Sequence, residues 1–221
     1  MNLTRLGYIM TSGAFLEFNV NSFNTHHIMS KAWLLSEMSK LKKAGKIDID
    51  DKSAAILGGG SAIWADDLIQ LFPTIGKVRS FDIDPAHEQI ANRLNASWWK
   101  ANRKFAASTV DVNTLDWSGP TTYNIKDVDY QDYEKQTIDF GVIINPSTQH
   151  MDSTWANNIS SNKLLVVQSN DYINNEFRNS QDLADKFTIS KILYQGGMDG
   201  DKYVPENPDY KYKRFMVIGY R

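Results

Sequence analysis

The sequence predicts an α/β fold of three layers, a doubly wound and mostly parallel sheet that ends in an antiparallel pair of strands. Three observations predict it. Short apolar runs such as Ile138–Ile144 and Leu164–Gln168 alternate with helical patterns, as parallel βαβ units require. A glycine run, Gly58-Gly59-Gly60, closes the first of these strands and leads into a helix. At the carboxyl end, Ile189–Gln195 and Arg214–Tyr220 follow one another with no helical pattern between them, which implies a hairpin on the sheet edge.

The elements follow in order. Residues 1–27 are polar and irregular, ending in Asn24-Thr25-His26-His27. From about Ile28, Met29, Trp33, Leu34, Met38 and Leu41 form the stripe of an amphipathic helix, capped by Thr25 or Ser30 and stopped by Gly45. Lys40, Lys42, Lys43 and Lys46 read as its solvated end, where cations complement the helix dipole; a nucleic-acid patch is the lesser alternative. Ser53–Leu57 is a buried strand that feeds the glycine turn. Ala62–Phe72 reads as a helix closed by Pro73, Val78–Ile83 as a strand stopped by Pro85, and Ala86–Trp99 as a helix. Of the adjacent Trp98 and Trp99, one belongs to the core and the other to a contact surface. Phe105–Val110 is a third strand, and residues 113–137 read as a polar, irregular crossover. Residues 149–160 predict a short helix around Trp155, and Leu183–Phe187 belong to another. The stretch 196–210, rich in Gly, Asp and Pro, joins the last two strands. The expectation is one domain over residues 1–221, with residues 1–45 an irregular segment and helix that form a candidate lid.

Bulk properties narrow the function. The 221 residues can bury a sizeable core, and the net charge of -2 shows no basic excess that would advertise a nucleic-acid partner. Cysteine is absent, so disulfides, thiolate metal sites and a cysteine nucleophile are excluded. The four histidines are not spaced as a ligand set, and no metal site is expected. No apolar run approaches a membrane-spanning length and the start does not read as a secretory signal, so the cytoplasm is the expected location.

In open α/β sheets ligands bind beyond the carboxyl ends of the strands. Gly58, Gly59 and Gly60 stand at the first such end, where missing Cβ atoms let a ligand approach the backbone and the next helix presents free N–H groups. A plain strand-to-helix turn is the alternative. Asp82 ends the second strand about 20 residues on, placed to accept hydrogen bonds from the two ribose hydroxyls of a nucleoside, with Ile83 beside it. Asp84 reads as the cap of the following helix, with Pro85 in its first turn. After the third strand, Asp111 suits an adenine amine, although aspartate there is also a common turn former. A dinucleotide fingerprint would want glycine where Ile63 stands, which argues against NAD.

The segments Ser30–Leu35, Ile56–Gly60, Ser80–Pro85, Ile143–Met151, Val167–Tyr172 and Arg214–Gly219 resemble a group of class I (Rossmann-like) methyltransferase-like proteins found among bacteria and tailed phages. The resemblance runs from about residue 28 to the end. It implies a sheet of the class I methyltransferase type and S-adenosylmethionine as cofactor. Gly58 and Gly60 would face its methionine and ribose, Asp82 the ribose hydroxyls and Asp111 the adenine. Two positions depart from the group: Ile56 stands where an acid often contacts the cofactor through water, and Ala62 replaces the loop's third glycine.

Methyl transfer needs an in-line acceptor and, for a protonated one, a base. His150 is the base candidate; a packed, hydrogen-bonded histidine is the equal alternative. Asn145 and Gln168 are candidates to orient the acceptor or the methionine ammonium, and Asn170, Asp171 and Tyr172 are expected at the same mouth. Asn145-Pro146-Ser147 partly matches the Asn-Pro-Pro-Tyr loop of amine-methylating nucleic-acid enzymes, without its second proline or aromatic. His26 and His27 are candidate lid residues or plain surface residues. The expected function is methyl transfer to an acceptor the sequence does not name, with a small molecule or protein side chain favoured over nucleic acid. A cofactor-binding scaffold without catalysis and an aminocarboxypropyl transferase are the alternatives.

Overall fold

The computed structural model describes residues 25–100, 103–126, 132–171, 176–199 and 213–221. Its main sheet holds β1 (Ser53–Leu57), β2 (Val78–Asp82), β3 (Phe105–Thr109), β6 (Phe140–Asn145), β7 (Leu164–Asn170), β8 (Lys191–Asp199) and β9 (Lys213–Tyr220). The spatial order is β3-β2-β1-β6-β7-β9-β8. The first five of these run parallel, while β9 is antiparallel to both β7 and β8. The expected terminal hairpin is therefore present, but β9 inserts between β7 and β8, and β8 takes the edge.

Alternate residues of each strand serve opposite faces, because strand side chains alternate. Ile56, Val78, Ile144, Val166 and Ile218 pack on one face beneath α1 (Thr25–Lys43), α2 (Ala65–Leu71) and α3 (Pro85–Leu94). Ala55, Leu57, Ile143, Leu165 and Val217 pack on the other, against Trp117, Trp155, Phe187 and α5 (Ser180–Lys186). The two cores make the molecule three layers deep.

Several elements differ from the sequence expectation. Helix α1 begins at Thr25, and its buried face is Ser30, Leu34, Leu35, Met38 and Leu41; Met29 is exposed. Ser30 does not cap it, since its hydroxyl donates back to the His27 carbonyl within the helix. The expected helix to Trp99 is two, α3 and α4 (Ala96–Lys100), broken where the Asn95 amide donates to the Ala62 and Ala91 carbonyls. Trp99 is buried, and Trp98 donates to Asp66. The presumed irregular crossover contains an antiparallel hairpin, β4 (Thr121–Lys126) with β5 (Tyr133–Ile138). Tyr123 of that hairpin meets Phe81 edge to face at 4.9 Å, and buried Arg79 donates to the Tyr123 hydroxyl and to Gln136. Residues 149–160 form no α-helix but two single 3₁₀ turns, Thr148–His150 and Thr154–Ala156. Gly196 and Gly197 belong to β8 rather than to a loop, and the rest of the joining stretch lies outside the described residues from Gly200.

Candidate functional site

The chain runs β1, β2, β3 away from the sheet centre and then returns to place β6 on the other side of β1. A switch of this kind splays the connections on either side and opens a crevice at the strand ends. The crevice is a cavity of about 770 Å³ lined from four strand ends and from α1.

Its floor is the glycine loop. Gly58 and Gly60 hold φ of 61° and 53°, in the left-handed region that favours glycine, and Ala62 holds 46°. A Cβ at Gly58 would run into the thioether methyl of Met151, so the absence of a side chain is what lets the two segments approach. Ala62 thus occupies a backbone state suited to the glycine that the resemblance implies at this position.

Asp82 fixes this loop from the neighbouring strand. Its Oδ2 accepts the Gly60 amide at 2.8 Å, and its Oδ1 accepts the Asp84 amide at 3.1 Å and faces His87 Nδ1 at 3.2 Å. Burial opposes the charge on Asp82, but the bonds from His87 and from the two amides outweigh it and hold the carboxyl below its usual range. The same contact with Asp82 raises His87 above the ordinary histidine value, against a smaller burial effect. Asp84 caps α3 by accepting from Ala86, as expected. Ile83 stands 70% exposed on the cavity wall, an apolar side chain with no protein cover.

The remaining expected residues divide. Asp111 lines the cavity, and its Oδ1 accepts the Asn113 amide and caps a 3₁₀ turn, as the turn-former reading expects. His150 lines the cavity and is exposed. Asn145 is fully buried beneath the cavity; its amide donates to the Met151 sulfur and its oxygen accepts from the Ser147 amide. Gln168 turns away to donate to the Ser30 carbonyl on α1, and Asp171 accepts the Lys213 amide, so neither reaches the mouth. Asn170 also lies outside the cavity lining, and Tyr172 and the His26 side chain lie outside the described residues. His27 lines the cavity.

The lining residues that the sequence reading left without a role in the site include His87, Met151 and Lys31. His87 carried a signal, because it sits in the first turn of a helix capped by Asp84 and so returns toward the strand end. Lys31 carried another. It lies three, four and seven residues before Leu34, Leu35 and Met38, a cation on the buried face of α1.

The chain is similar in fold to solved methyltransferases. Over 98% of its length it matches 95% of magnesium protoporphyrin IX methyltransferase from Synechocystis, crystallised with SAM, with a TM-score of 0.55 and 12% identity. The same enzyme with SAH covers 98% of both chains at a TM-score of 0.53 and 11% identity. An arsenic(III) S-adenosylmethionine methyltransferase from Chlamydomonas reinhardtii matches 78% of this chain and 64% of its own, with a TM-score of 0.50 and 11% identity.

The fold is that of the class I methyltransferases.

An antiparallel strand wedged next to the sheet edge, the position of β9, belongs to this architecture and not to a plain dinucleotide fold. No family model and no curated protein matches the sequence. The likeness therefore lies in the fold and leaves the acceptor open. No helix among the described residues is long and apolar enough to cross a membrane.

Proposed function

We propose that the chain binds S-adenosylmethionine in this cavity and transfers its methyl group to a small molecule or a protein side chain. The observation that carries the reading is the union of the glycine loop with Asp82 across the β1–β2 edge, under an exposed Ile83. The cradle fits a nucleoside with an extended tail: glycines admit the tail to the backbone, and a charged acid waits at ribose distance. A carboxylate offers about four acceptor sites, and the protein fills three on Asp82, leaving room for a ribose hydroxyl. Gly58, Gly59 and Gly60 would hold the methionine and ribose part, Ile83 would cover the adenine face, and Asp111 would accept from its amine. When bound, the cofactor supplies an activated methyl on a positive sulfur.

His150, exposed at the rim, is the group placed to take a proton from the acceptor. Asn145 acts from below, by fixing Ser147 and Met151. The domain is read as a single unit over residues 1–221, acting in the cytoplasm. A cofactor-binding scaffold is the second reading, favoured by Ile56, which is fully buried where an acid would reach the cofactor through water. Incubating the protein and S-adenosylmethionine with a cell extract separates them. Release of S-adenosylhomocysteine that requires Asp82 supports methyl transfer. Methylthioadenosine would reveal the aminocarboxypropyl reaction instead, and no release would leave the scaffold.

A further inference from the structure

Lys31 reaches from α1 into the strand-end cavity and donates through Nζ to the Pro146 carbonyl at 2.9 Å. Pro146 lies two residues beyond Ile144, which pairs with Ile56, and Gly58 lies two residues beyond Ile56. Neighbouring strands are about 4.8 Å apart, so the Lys31 amine sits over the strand beside the glycine loop. Arg214 of β9 points a second cation at the same carbonyl, at 3.4 Å. Among the described residues no carboxylate forms an ion pair with Lys31.

This is a poor place for an ammonium. Burial, and then the Arg214 charge, hold Lys31 well below the usual lysine range. A sulfonium brought into the cavity would add another positive centre. A deprotonated Lys31 amine can give one N–H to Pro146 and keep its lone pair, and a lone pair inside the cavity is the nucleophile that methyl transfer needs.

We propose that Lys31 is a methyl acceptor in cis, its Nζ taking the methyl group of S-adenosylmethionine bound in the same cavity. The inference rests on the cofactor reading above. An N–C bond forms as the C–S bond breaks, the bonding pair stays on sulfur as S-adenosylhomocysteine, and the methylated ammonium gives its extra proton to water. A methylated Lys31 would also change the contact that ties α1 to the β6 loop.

The test uses the full chain. Incubated with S-adenosylmethionine alone, it gains the mass of one methyl group, and peptide mapping places it on Lys31. Lys31→Arg abolishes the gain, whereas Lys43→Arg, at an exposed position, keeps it. A second readout needs no turnover: an amine-acylating reagent modifies Lys31 more slowly when S-adenosylhomocysteine is present, whereas exposed Lys43 reacts at an unchanged rate. An unmodified Lys31 in protein whose melting temperature rises with S-adenosylhomocysteine overturns the proposal and leaves the cofactor reading intact. A protein that does not bind S-adenosylhomocysteine overturns the cofactor reading and this proposal with it.

Discussion

The Asp82 carboxylate accepts the Gly60 amide at 2.8 Å, so the acid that ends β2 holds in place the loop that ends β1. One side chain thereby organises the loop and presents the charge a nucleoside would meet. Asp82→Ala removes both at once. Hydrogen bonds to a charged group contribute about 1.5–3 kcal/mol, so affinity for S-adenosylhomocysteine should fall roughly 10- to 100-fold. Isothermal titration measures it. An unchanged affinity would remove Asp82 from the site.

Gly58 and Gly45 share a left-handed backbone but differ in surroundings. Gly45 has open space where a Cβ would go, while Gly58 faces Met151. Gly45→Ala should cost only the backbone term, about 1–2 kcal/mol. Gly58→Ala should cost more, and its cost measured within a Met151→Ala background should fall to the Gly45→Ala level. Denaturant unfolding of the single and double variants reads the comparison directly.

The His87–Asp82 pair sets a pH window. His87 is raised above 6.5, so its contribution is complete below 6.5 and is lost as pH climbs through the raised value. Asp82 is lowered below 3.8, so its contribution is complete above 3.8 and is lost as pH falls through the lowered value. Stability from the pair is therefore full only between these limits. His87→Gln should flatten the alkaline side of the stability profile. A profile that keeps its alkaline slope would mean that the pair is not formed.

Asn95 is buried, and its amide joins the α3–α4 break to the Ala62 carbonyl. Asn95→Ala removes this bond while the Ala62 carbonyl keeps the Ala65 amide, and should destabilise the fold by about 0.5–1.5 kcal/mol. Because Ala62 follows the glycine loop, the variant should also weaken S-adenosylhomocysteine binding, which calorimetry would detect.

His150 is exposed, and surface substitutions usually stay within about ±0.5 kcal/mol. His150→Ala should melt with the wild type and keep its affinity for S-adenosylhomocysteine while turnover drops. A cooperative loss of folding would favour the packed, hydrogen-bonded reading of this residue.

The strands of the parallel sheet were legible because the buried strands Phe140–Asn145 and Leu164–Asn170 are built on apolar runs, Val142–Ile144 and Leu164–Val167. The β4–β5 hairpin was hidden by composition. Its inward Thr121, Tyr123 and Ile125 do alternate, but its β5 partner contributes Glu134 and Gln136, half-buried against Arg79 and Arg103 rather than against apolar side chains. In the site, residues set by local chain geometry were readable: Gly58, Gly60, Asp82, Asp84. Roles set by distant partners were not. Gln168 and Asp171 stand at the right strand end, yet the Ser30 carbonyl and the Lys213 amide claim them. Lys31 shows the converse, a cation on an apolar helix face whose place in the cavity appears only when α1 is laid across the strand ends.

The central claim is the nature of the ligand, and a thermal-shift titration with S-adenosylmethionine, S-adenosylhomocysteine and NAD in parallel tests it most directly. A ligand at about 100 times its dissociation constant stabilises the fold by about 2.7 kcal/mol. For a chain of this size, that raises the melting temperature by roughly 5–10 °C. The account predicts such a rise with S-adenosylhomocysteine, none with NAD, and its loss in Asp82→Ala. No rise with either adenosyl ligand, or a rise with NAD alone, would contradict it.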